Sequence, residues 1–303
     1  MSIQLENITK VYGKQKALEN LTFTAEEGQI LGLLGPNGAG KTTCMKIISC
    51  FMPQSSGNVS VYGMKPESSS LEIRRILGYL PEHNPLYENM YVKEYLEFVA
   101  GIHDLKDKSK YVEEAIEKTG LSLEQNKLIS SLSKGYKQRV GIAQAIIHNP
   151  KVLILDEPIS GLDPNQIIEI RELIKKLKED KVVIFSSHIL QEVESLCDKV
   201  VILDKGHKVA DDKVVNIASG STARSNIIIE FKDKFSSDLL EGLDSDIKFE
   251  RITDRKFVIH EYAIKNIQEE LFDLAVSNNN KLIELHSTTQ SLESVFKSLT
   301  RNR

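Results

Sequence analysis

Cysteine is scarce in this chain of 303 residues, which contains only Cys44, Cys50 and Cys197. An odd number of cysteines, two of them on one predicted helix, does not form a disulfide framework, so we expect a reducing cytosolic environment. No apolar run approaches the ~20 residues needed to span a bilayer. The N-terminus also lacks the basic start and apolar core of a signal peptide. We therefore expect another chain to supply any membrane spans.

An excess of positive charge is also missing. The formal net charge is −4 and the isoelectric point is about 6.0, which does not favour nucleic acid as the main ligand. The sequence shows no internal repeat and no long coiled-coil pattern. The apolar content of 41% and the charged content of 27% are typical of globular proteins, and the length suits one large α/β domain plus a smaller one.

The most informative segment is residues 35–42, which fits the phosphate-binding pattern Gly-x-x-x-x-Gly-Lys-[Ser/Thr]. A buried strand is predicted at residues 30–34 and a helix at residues 43–48, so the loop would present its N–H groups to phosphates at a helix start. Lys41 is expected to reach the β- and γ-phosphates, and the Thr42 hydroxyl to ligate Mg²⁺. The predicted nucleotide-binding residues of this segment are Gly35, Asn37, Gly38, Gly40, Lys41, Thr42 and Thr43.

Apolar strands that alternate with helices predict an α/β domain with a largely parallel sheet. Buried strands are predicted at residues 152–155 and 182–185, and an amphipathic helix at residues 166–181. Residues up to about Ala25 alternate like antiparallel strands. Residues 82–140, approximately, are typical of an inserted helical subdomain.

A stretch containing Gly and Ser at residues 218–222 predicts a linker. We therefore place the first domain at residues 1–218 and a small α+β accessory domain at residues 219–303. The accessory domain is predicted to contain short strands at 227–229, 247–249, 257–259 and 281–285, a helix from Ile264 to Leu274, and a last amphipathic helix at 292–299.

Two adjacent carboxylates, Asp156 and Glu157, follow the predicted strand at residues 152–155. At that edge of the sheet, Asp156 would hold Mg²⁺ and Glu157 would polarise the water that attacks the γ-phosphate. Such a pair is common without function, and the phosphate loop upstream is what favours the catalytic interpretation. Ser133, taken alone, is more simply the cap of a basic helix.

Seven motifs in order make residues 1 to about 218 resemble ATP-binding cassette (ABC) proteins. They are an aromatic turn with Tyr12, the phosphate loop, a Q-loop position at Glu82, a signature with Ser133 and Gly135, the Walker B pair Asp156 and Glu157, a D-loop with Asp163, and a switch histidine, His188. The resemblance implies an α/β P-loop NTPase cassette of the ABC type, with a mixed sheet and a helical subdomain. It also implies ATP and Mg²⁺ as cofactors.

The resemblance implies a role for each matched residue. Tyr12 would stack on adenine, and Ser133 and Gly135 would close over the γ-phosphate held by a second cassette, with a homodimer expected. The implied catalytic residues are Glu157 and His188, the implied metal ligands are Thr42, Glu82 and Asp156, and Asp163 joins the nucleotide-binding set. Simpler alternatives remain for several of them: a strand aromatic for Tyr12, a helix cap for Asp163 and a structural histidine for His188.

Two positions depart from the commonest family pattern: Glu82 replaces the usual Gln, and the signature reads Ser-Lys-Gly-Tyr. Both resemble the exporters whose membrane subunits are of the ABC-2 type, as do residues 291–296. Residues 81–87 look most like the ATP-binding subunit associated with gliding motility in Bacteroidetes. This resemblance implies an ATPase that powers export through an integral-membrane permease, and a position on the inner face of the cell membrane through that permease.

Two questions stay open. One is whether a set of residues after Glu82 lines a groove for a cytoplasmic helix of the permease or forms the core of the helical subdomain; the set is Leu86, Tyr87, Met90 and Tyr91. The whole chain is either a transporter subunit, a soluble ABC ATPase acting on nucleic acid or ribosomes, or a nucleotide-binding regulator without hydrolysis. A single phosphate loop and an acidic balance disfavour the second, so no nucleic acid is expected as a partner. Glu157 and His188 disfavour the third.

Overall fold

The computed structural model describes residues 2–219, 226–243, 247–261 and 267–288. The chain divides into two compact units, Met1–Val214 and Val215–Arg303. The boundary predicted at residue 218 lies a few residues beyond this division. Several predicted features lie outside the described residues, namely positions 220–222 of the linker, the helix start at Ile264, the last helix at 292–299 and the motif at 291–296.

The first unit contains two sheets. Its strands are β1 (Ile3–Tyr12), β2 (Gln15–Ala25), β3 (Gln29–Leu34), β4 (Ser56–Val61), β5 (Leu77–Leu80), β6 (Val152–Asp156), β7 (Val182–Ser187), β8 (Lys199–Asp204) and β9 (His207–Lys213). An antiparallel sheet has the order β2-β1-β4, as the alternation near the N-terminus predicts. The other six strands form a mixed sheet in the order β5-β6-β7-β3-β8-β9, in which only β9 is antiparallel to its neighbour.

Helices cover the sheets and build a helical subdomain. They are α1 (Lys41–Ile48), α2 (Pro66–Arg75), α3 (Val92–Ile102), α4 (Lys108–Thr119), α5 (Lys134–Ile146), α6 (Pro164–Leu177), α7 (Leu190–Leu196) and α8 (Val214–Ser219). α3, α4 and α5 pack together around a buried apolar cluster that includes Leu96, Ile116 and Val140. This cluster is separate from the main core, which is why the sequence here has a helical rather than an alternating pattern.

The main core fixes the position of the phosphate loop. β3 is an interior strand of the mixed sheet, between β7 and β8, and its Leu31 and Leu33 are fully buried in the main core. α1 packs Met45 and Ile47 into the same core. The end of β3 and the start of α1 are therefore both held rigidly, and so is the loop between them.

The second unit is a small α+β fold. It contains β10 (Asn226–Phe231), α9 (Asp238–Glu241), β11 (Lys248–Arg251), β12 (Lys256–Glu261), α10 (Ile267–Ser277) and β13 (Leu282–Thr288). The strands form an antiparallel sheet in the order β11-β12-β10-β13. α10 contributes Leu271 and Ala275 to an apolar core that also holds Phe231 and Phe257.

Three local predictions need correction. α1 begins at Lys41 rather than at residue 43, and it ends at Ile48, so Cys50 lies in a turn with a φ of 57° and not on the helix. α6 begins at Pro164, because the Asp163 side chain accepts a hydrogen bond from the N–H of Gln166, and it ends at Leu177 rather than at residue 181. β13 begins and ends later than the strand predicted at 281–285.

Candidate nucleotide-binding and catalytic site

The loop between β3 and α1 borders a cavity of about 740 Å³. Gly40 has a φ of 108°, and a Cβ atom there would lie 2.6 Å from Cδ2 of Leu18, so only glycine fits both the conformation and the space. α1 starts directly afterwards, and its first N–H groups have no partner within the helix. The predicted residues that line the cavity are Tyr12, Asn37, Gly38, Gly40, Lys41, Thr42, Thr43, Glu82, Glu157 and His188.

Three charged or polar side chains meet at this cavity. Nζ of Lys41 donates to the carbonyl of Gly35 at 2.7 Å and lies 3.6 Å from Oε1 of Glu157. Nδ1 of His188 lies 2.9 Å from Oε2 of the same carboxylate, at hydrogen-bond distance. Lys41 and Glu157 are buried, whereas the His188 side chain is 42% exposed. The residues predicted for phosphate binding and for hydrolysis are therefore in direct contact.

Glu157 has a strained backbone that a buried serine supports. Its φ is 51°, a conformation that few residues other than glycine adopt. Its N–H donates to Oγ of Ser186 at 2.9 Å, and the Ser186 hydroxyl donates to Oδ1 of Asp156 at 2.7 Å. Ser186 thus holds both members of the carboxylate pair at the end of β6.

Asp156 lies behind the residues that line the cavity and is 1% exposed. Burial raises the pKa of its carboxyl group, while hydrogen bonds with Ser186 and Thr42 act in the opposite direction. The negative charge of Glu82 raises the same pKa further. The Tyr79 hydroxyl lies 3.5 Å from Oδ2 of Asp156.

The donor set around Thr42 suits a magnesium ion. Asp156, Thr42 and Glu82 offer carboxylate and hydroxyl oxygens, which are the hard ligands that Mg²⁺ prefers. Among the described residues no group of three or more His, Cys, Asp or Glu side chains is arranged to hold a metal alone. A magnesium ion held by these oxygens would need nucleotide phosphates and water to complete its coordination.

Tyr12 lies at the end of β1 on the cavity wall and is 45% exposed. Its hydroxyl lies 2.8 Å from Sδ of Met52, and Nζ of Lys10 lies 5.4 Å from the ring centre. The ring is therefore held in place from two sides, with enough free surface to receive a flat ligand.

The signature and D-loop residues are not among the residues that line this cavity. Ser133 caps α5 by accepting the N–H of Tyr136 at 3.4 Å. A Cβ atom on Gly135 would lie 2.6 Å from Cδ of Gln166, so the signature packs tightly on the start of α6, next to the cap formed by Asp163. Most residues predicted to act within one chain line this cavity. Gly35 and Asp156 are not part of its lining but contact residues that are, and Ser133, Gly135 and Asp163 lie outside.

Some residues of the segment after Glu82 pack on the core of the helical subdomain, and others are exposed beside a groove. Leu86 and Met90 are partly buried and pack on the apolar cluster of the helical subdomain. Tyr87 is 53% exposed and contacts the rings of Tyr95 and Phe98, with ring centres 5.7 and 5.6 Å away. Tyr87 and Phe98 line a separate cavity of about 400 Å³, which we call the lateral groove; its other walls include Tyr79, Ile102, His103 and His148.

Several residues of the site were missed in the sequence. Ser186 was passed over as an ordinary residue before His188, although a polar pair at the end of a buried strand was a usable signal. Lys205 lines the cavity from the turn between β8 and β9, and no local pattern announces it. Gln15, Lys16 and Ser160 line it as well.

The fold and this cavity define a nucleotide-binding ATPase of the phosphate-loop class. A family model described as "ABC transporter" matches residues 18–160. The uncharacterized ABC transporter ATP-binding protein YdbJ of Bacillus subtilis is 33% identical over 97% of this chain and 94% of its own length. The chain belongs to the ABC transporter family of ATP-binding proteins, and the predicted fold class and ATPase activity are confirmed.

Two further proteins extend this comparison. The bacitracin transport ATP-binding protein BcrA of Bacillus licheniformis is 34% identical over 98% of this chain and 96% of its own length. The dimeric structure of a post-hydrolysis state of the ATP-binding cassette MJ0796, bound to ADP and Pi, covers 70% of this chain and 98% of that chain with a TM-score of 0.64 and 26% identity. None of the helices in the described ranges is both long and apolar enough to cross a bilayer.

Proposed function

We propose that this chain is the ATP-hydrolysing subunit of an ABC-2-type exporter, and that ATP closes two copies of it head to tail. The observation that carries the proposal is the division of the predicted site. Lys41, Glu157 and His188 meet at one cavity, whereas Ser133 and Gly135 lie outside it. An incomplete site of this kind is completed by the signature of a second cassette.

In the closed dimer each part has a chemical task. The phosphate loop and Lys41 hold the β- and γ-phosphates, and Ser133 with the start of α5 adds hydrogen-bond donors and a positive helix end from the opposite chain. Glu157 accepts the proton of the attacking water, and His188 holds the γ-phosphate. Bound Mg²⁺, held by Thr42, Asp156 and Glu82, would neutralise charge on the phosphates. Loss of the γ-phosphate removes contacts that only the closed state makes, so hydrolysis favours opening.

The proposed export role rests on relatives and on the lateral groove. BcrA is named for bacitracin transport, and the Glu82 and Ser-Lys-Gly-Tyr features resemble ABC-2 exporters. The exposed Tyr87 and Phe98 rings beside the lateral groove offer an apolar seat for a short helix of an integral-membrane permease, which would place the chain at the membrane. Involvement in gliding motility, suggested by residues 81–87, is the narrowest form of this proposal.

Glu157→Gln tests the hydrolytic core of the proposal, because it keeps the size of the side chain and removes the base. We expect ATP binding to persist and phosphate release to fall by at least about a hundredfold. Glu172→Gln is the matched control, since Glu172 is an exposed carboxylate on α6 that pairs with the neighbouring Lys175. Unchanged turnover in Glu157→Gln would remove Glu157 from its proposed role.

A further inference from the structure

Besides Asp156 and Glu157, another buried carboxylate lies near the switch histidine, and the proposed mechanism does not use it. Glu192 is the third residue of α7 and only 4% exposed. Burying a carboxylate is costly unless hydrogen bonds or opposite charges compensate. Its Oε2 accepts a hydrogen bond from the Ser187 hydroxyl, and Ser187 is the residue directly before His188.

Ser187 connects this carboxylate to both sides of the histidine. Its side chain is fully buried, and its Oγ also accepts the N–H of Ile189 at 2.9 Å. Ile189 is the cap position of α7 but has no side-chain group to cap it. Ser187 therefore bonds both the N–H of the cap residue and the Glu192 carboxylate in the first turn of α7, and these two hydrogen bonds close the turn that carries His188.

The ionisation of Glu192 is also affected by nearby charges, including that of Arg171 on α6. Burial raises the pKa of Glu192, and the nearby Glu157 carboxylate raises it further. The hydrogen bond from Ser187, the Arg171 guanidinium and His188 lower it. Nε of Arg171 is buried and makes no hydrogen bond with the residues that the structure describes.

We propose that Glu192 is a positioning residue for ATP hydrolysis: through Ser187 it fixes the turn that presents His188 to Glu157 and the nucleotide. The inference rests on the role proposed for His188. Glu192 does not touch the reacting atoms, so its removal changes the geometry of His188 and not the nucleotide-binding loop. The consequence is a loss of turnover without a loss of ATP affinity.

The test compares five variants of the full chain by phosphate release, ATP binding and thermal unfolding. Glu192→Ala and Ser187→Ala each remove the hydrogen bond, and we expect kcat to fall at least about tenfold while the Kd for ATP stays within about twofold. Glu192→Gln keeps an oxygen that accepts the Ser187 hydroxyl, so it restores most of the turnover. Glu194→Ala, an exposed carboxylate on the same helix, is the matched control and stays at the wild-type rate. His188→Ala gives the turnover expected when the switch histidine is lost completely.

The outcomes separate this inference from the proposed function. Wild-type turnover in Glu192→Ala or Ser187→Ala, beside an inactive His188→Ala, overturns the positioning role alone. A parallel fall of kcat, ATP affinity and melting temperature in all three Ser187 and Glu192 variants also overturns it, because that pattern marks a purely structural role. Wild-type turnover in His188→Ala would remove the role proposed for His188, and the inference with it.

Discussion

Ser186→Ala perturbs both carboxylates of the site through one buried hydroxyl. Ser186 is fully buried, donates to Asp156 at 2.7 Å and accepts from the N–H of Glu157 at 2.9 Å. Removing it leaves a buried N–H without a partner and takes one bond from a buried carboxylate, each of which costs about 1–3 kcal/mol. Because the two losses are not additive, we expect unfolding to become easier by about 2–4 kcal/mol.

The same change predicts a shift in the pH dependence of turnover. The Ser186 bond lowers the pKa of Asp156, so its loss raises that pKa. Asp156 must be ionised to hold Mg²⁺, and its ionised form disappears as pH falls through the pKa. We therefore expect the acid limb of kcat/KM to move to higher pH in Ser186→Ala.

The assay is phosphate release between mildly acidic and neutral pH at a fixed Mg²⁺ concentration below saturation, where protons and Mg²⁺ compete for Asp156, combined with urea unfolding. Ser68→Ala is the control, since Ser68 is an exposed serine whose hydroxyl donates to the carbonyl of Lys65, the residue that precedes α2. An unchanged acid limb in a folded Ser186→Ala protein would refute the coupling between Ser186 and Asp156.

Three further predictions follow from residues around the site. Tyr12→Ala should weaken ATP binding by about 1–3 kcal/mol in isothermal titration with little change in melting temperature, because the ring is half exposed and base stacking has this magnitude; Tyr12→Phe should bind normally. Tyr87→Ala should keep basal ATPase activity but lose stimulation by the permease, whereas Met90→Ala should lower the melting temperature, since Met90 is partly buried against the subdomain core and Tyr87 is 53% exposed. Equal melting temperatures would contradict this division. Burial lowers the pKa of His148 to about 4 from the ordinary 6.5, so the unfolded chain takes up a proton at higher pH than the folded chain does. The stability present above pH 6.5 is therefore lost as the pH falls towards 4, by at most about 3 kcal/mol at 1.36 kcal/mol per pH unit. Urea unfolding at both pH values should show this loss in the wild type and not in His148→Gln.

The sequence predicted the site best where function and local structure depend on the same few residues. The phosphate loop, the strand before it and the carboxylates after β6 follow from local pattern, because glycines, apolar runs and polar strand ends each have a local cause. α1 starts two residues earlier than predicted because Lys41 and Thr42 are part of its first turn. A motif read as a loop followed by a helix hides this overlap.

The parts that escaped prediction depend on strand order. The parallel pairing of β6 with β7 sets Ser186 opposite Asp156, and this register places Ser186 beside Glu157. β8 lies next to β3, although the two strands are far apart in sequence, and that order places the turn that carries Lys205 at the cavity. The burial of Met90 beside the exposed Tyr87 is a similar case, because packing against α3, α4 and α5 decides which side of the segment faces the solvent.

The central claim is that two copies share each ATP, and the mass of the hydrolysis-deficient protein in solution tests it most directly. With saturating Mg-ATP, Glu157→Gln should have twice the 34.1 kDa mass of the single chain by light scattering. In ADP it should return to the mass of the single chain. Gly135→Ala in the same background should bind ATP and stay single, since its methyl group would separate the signature backbone from the γ-phosphate that the second chain holds. A strictly monomeric Glu157→Gln protein in saturating Mg-ATP, even with its permease present, would contradict the account.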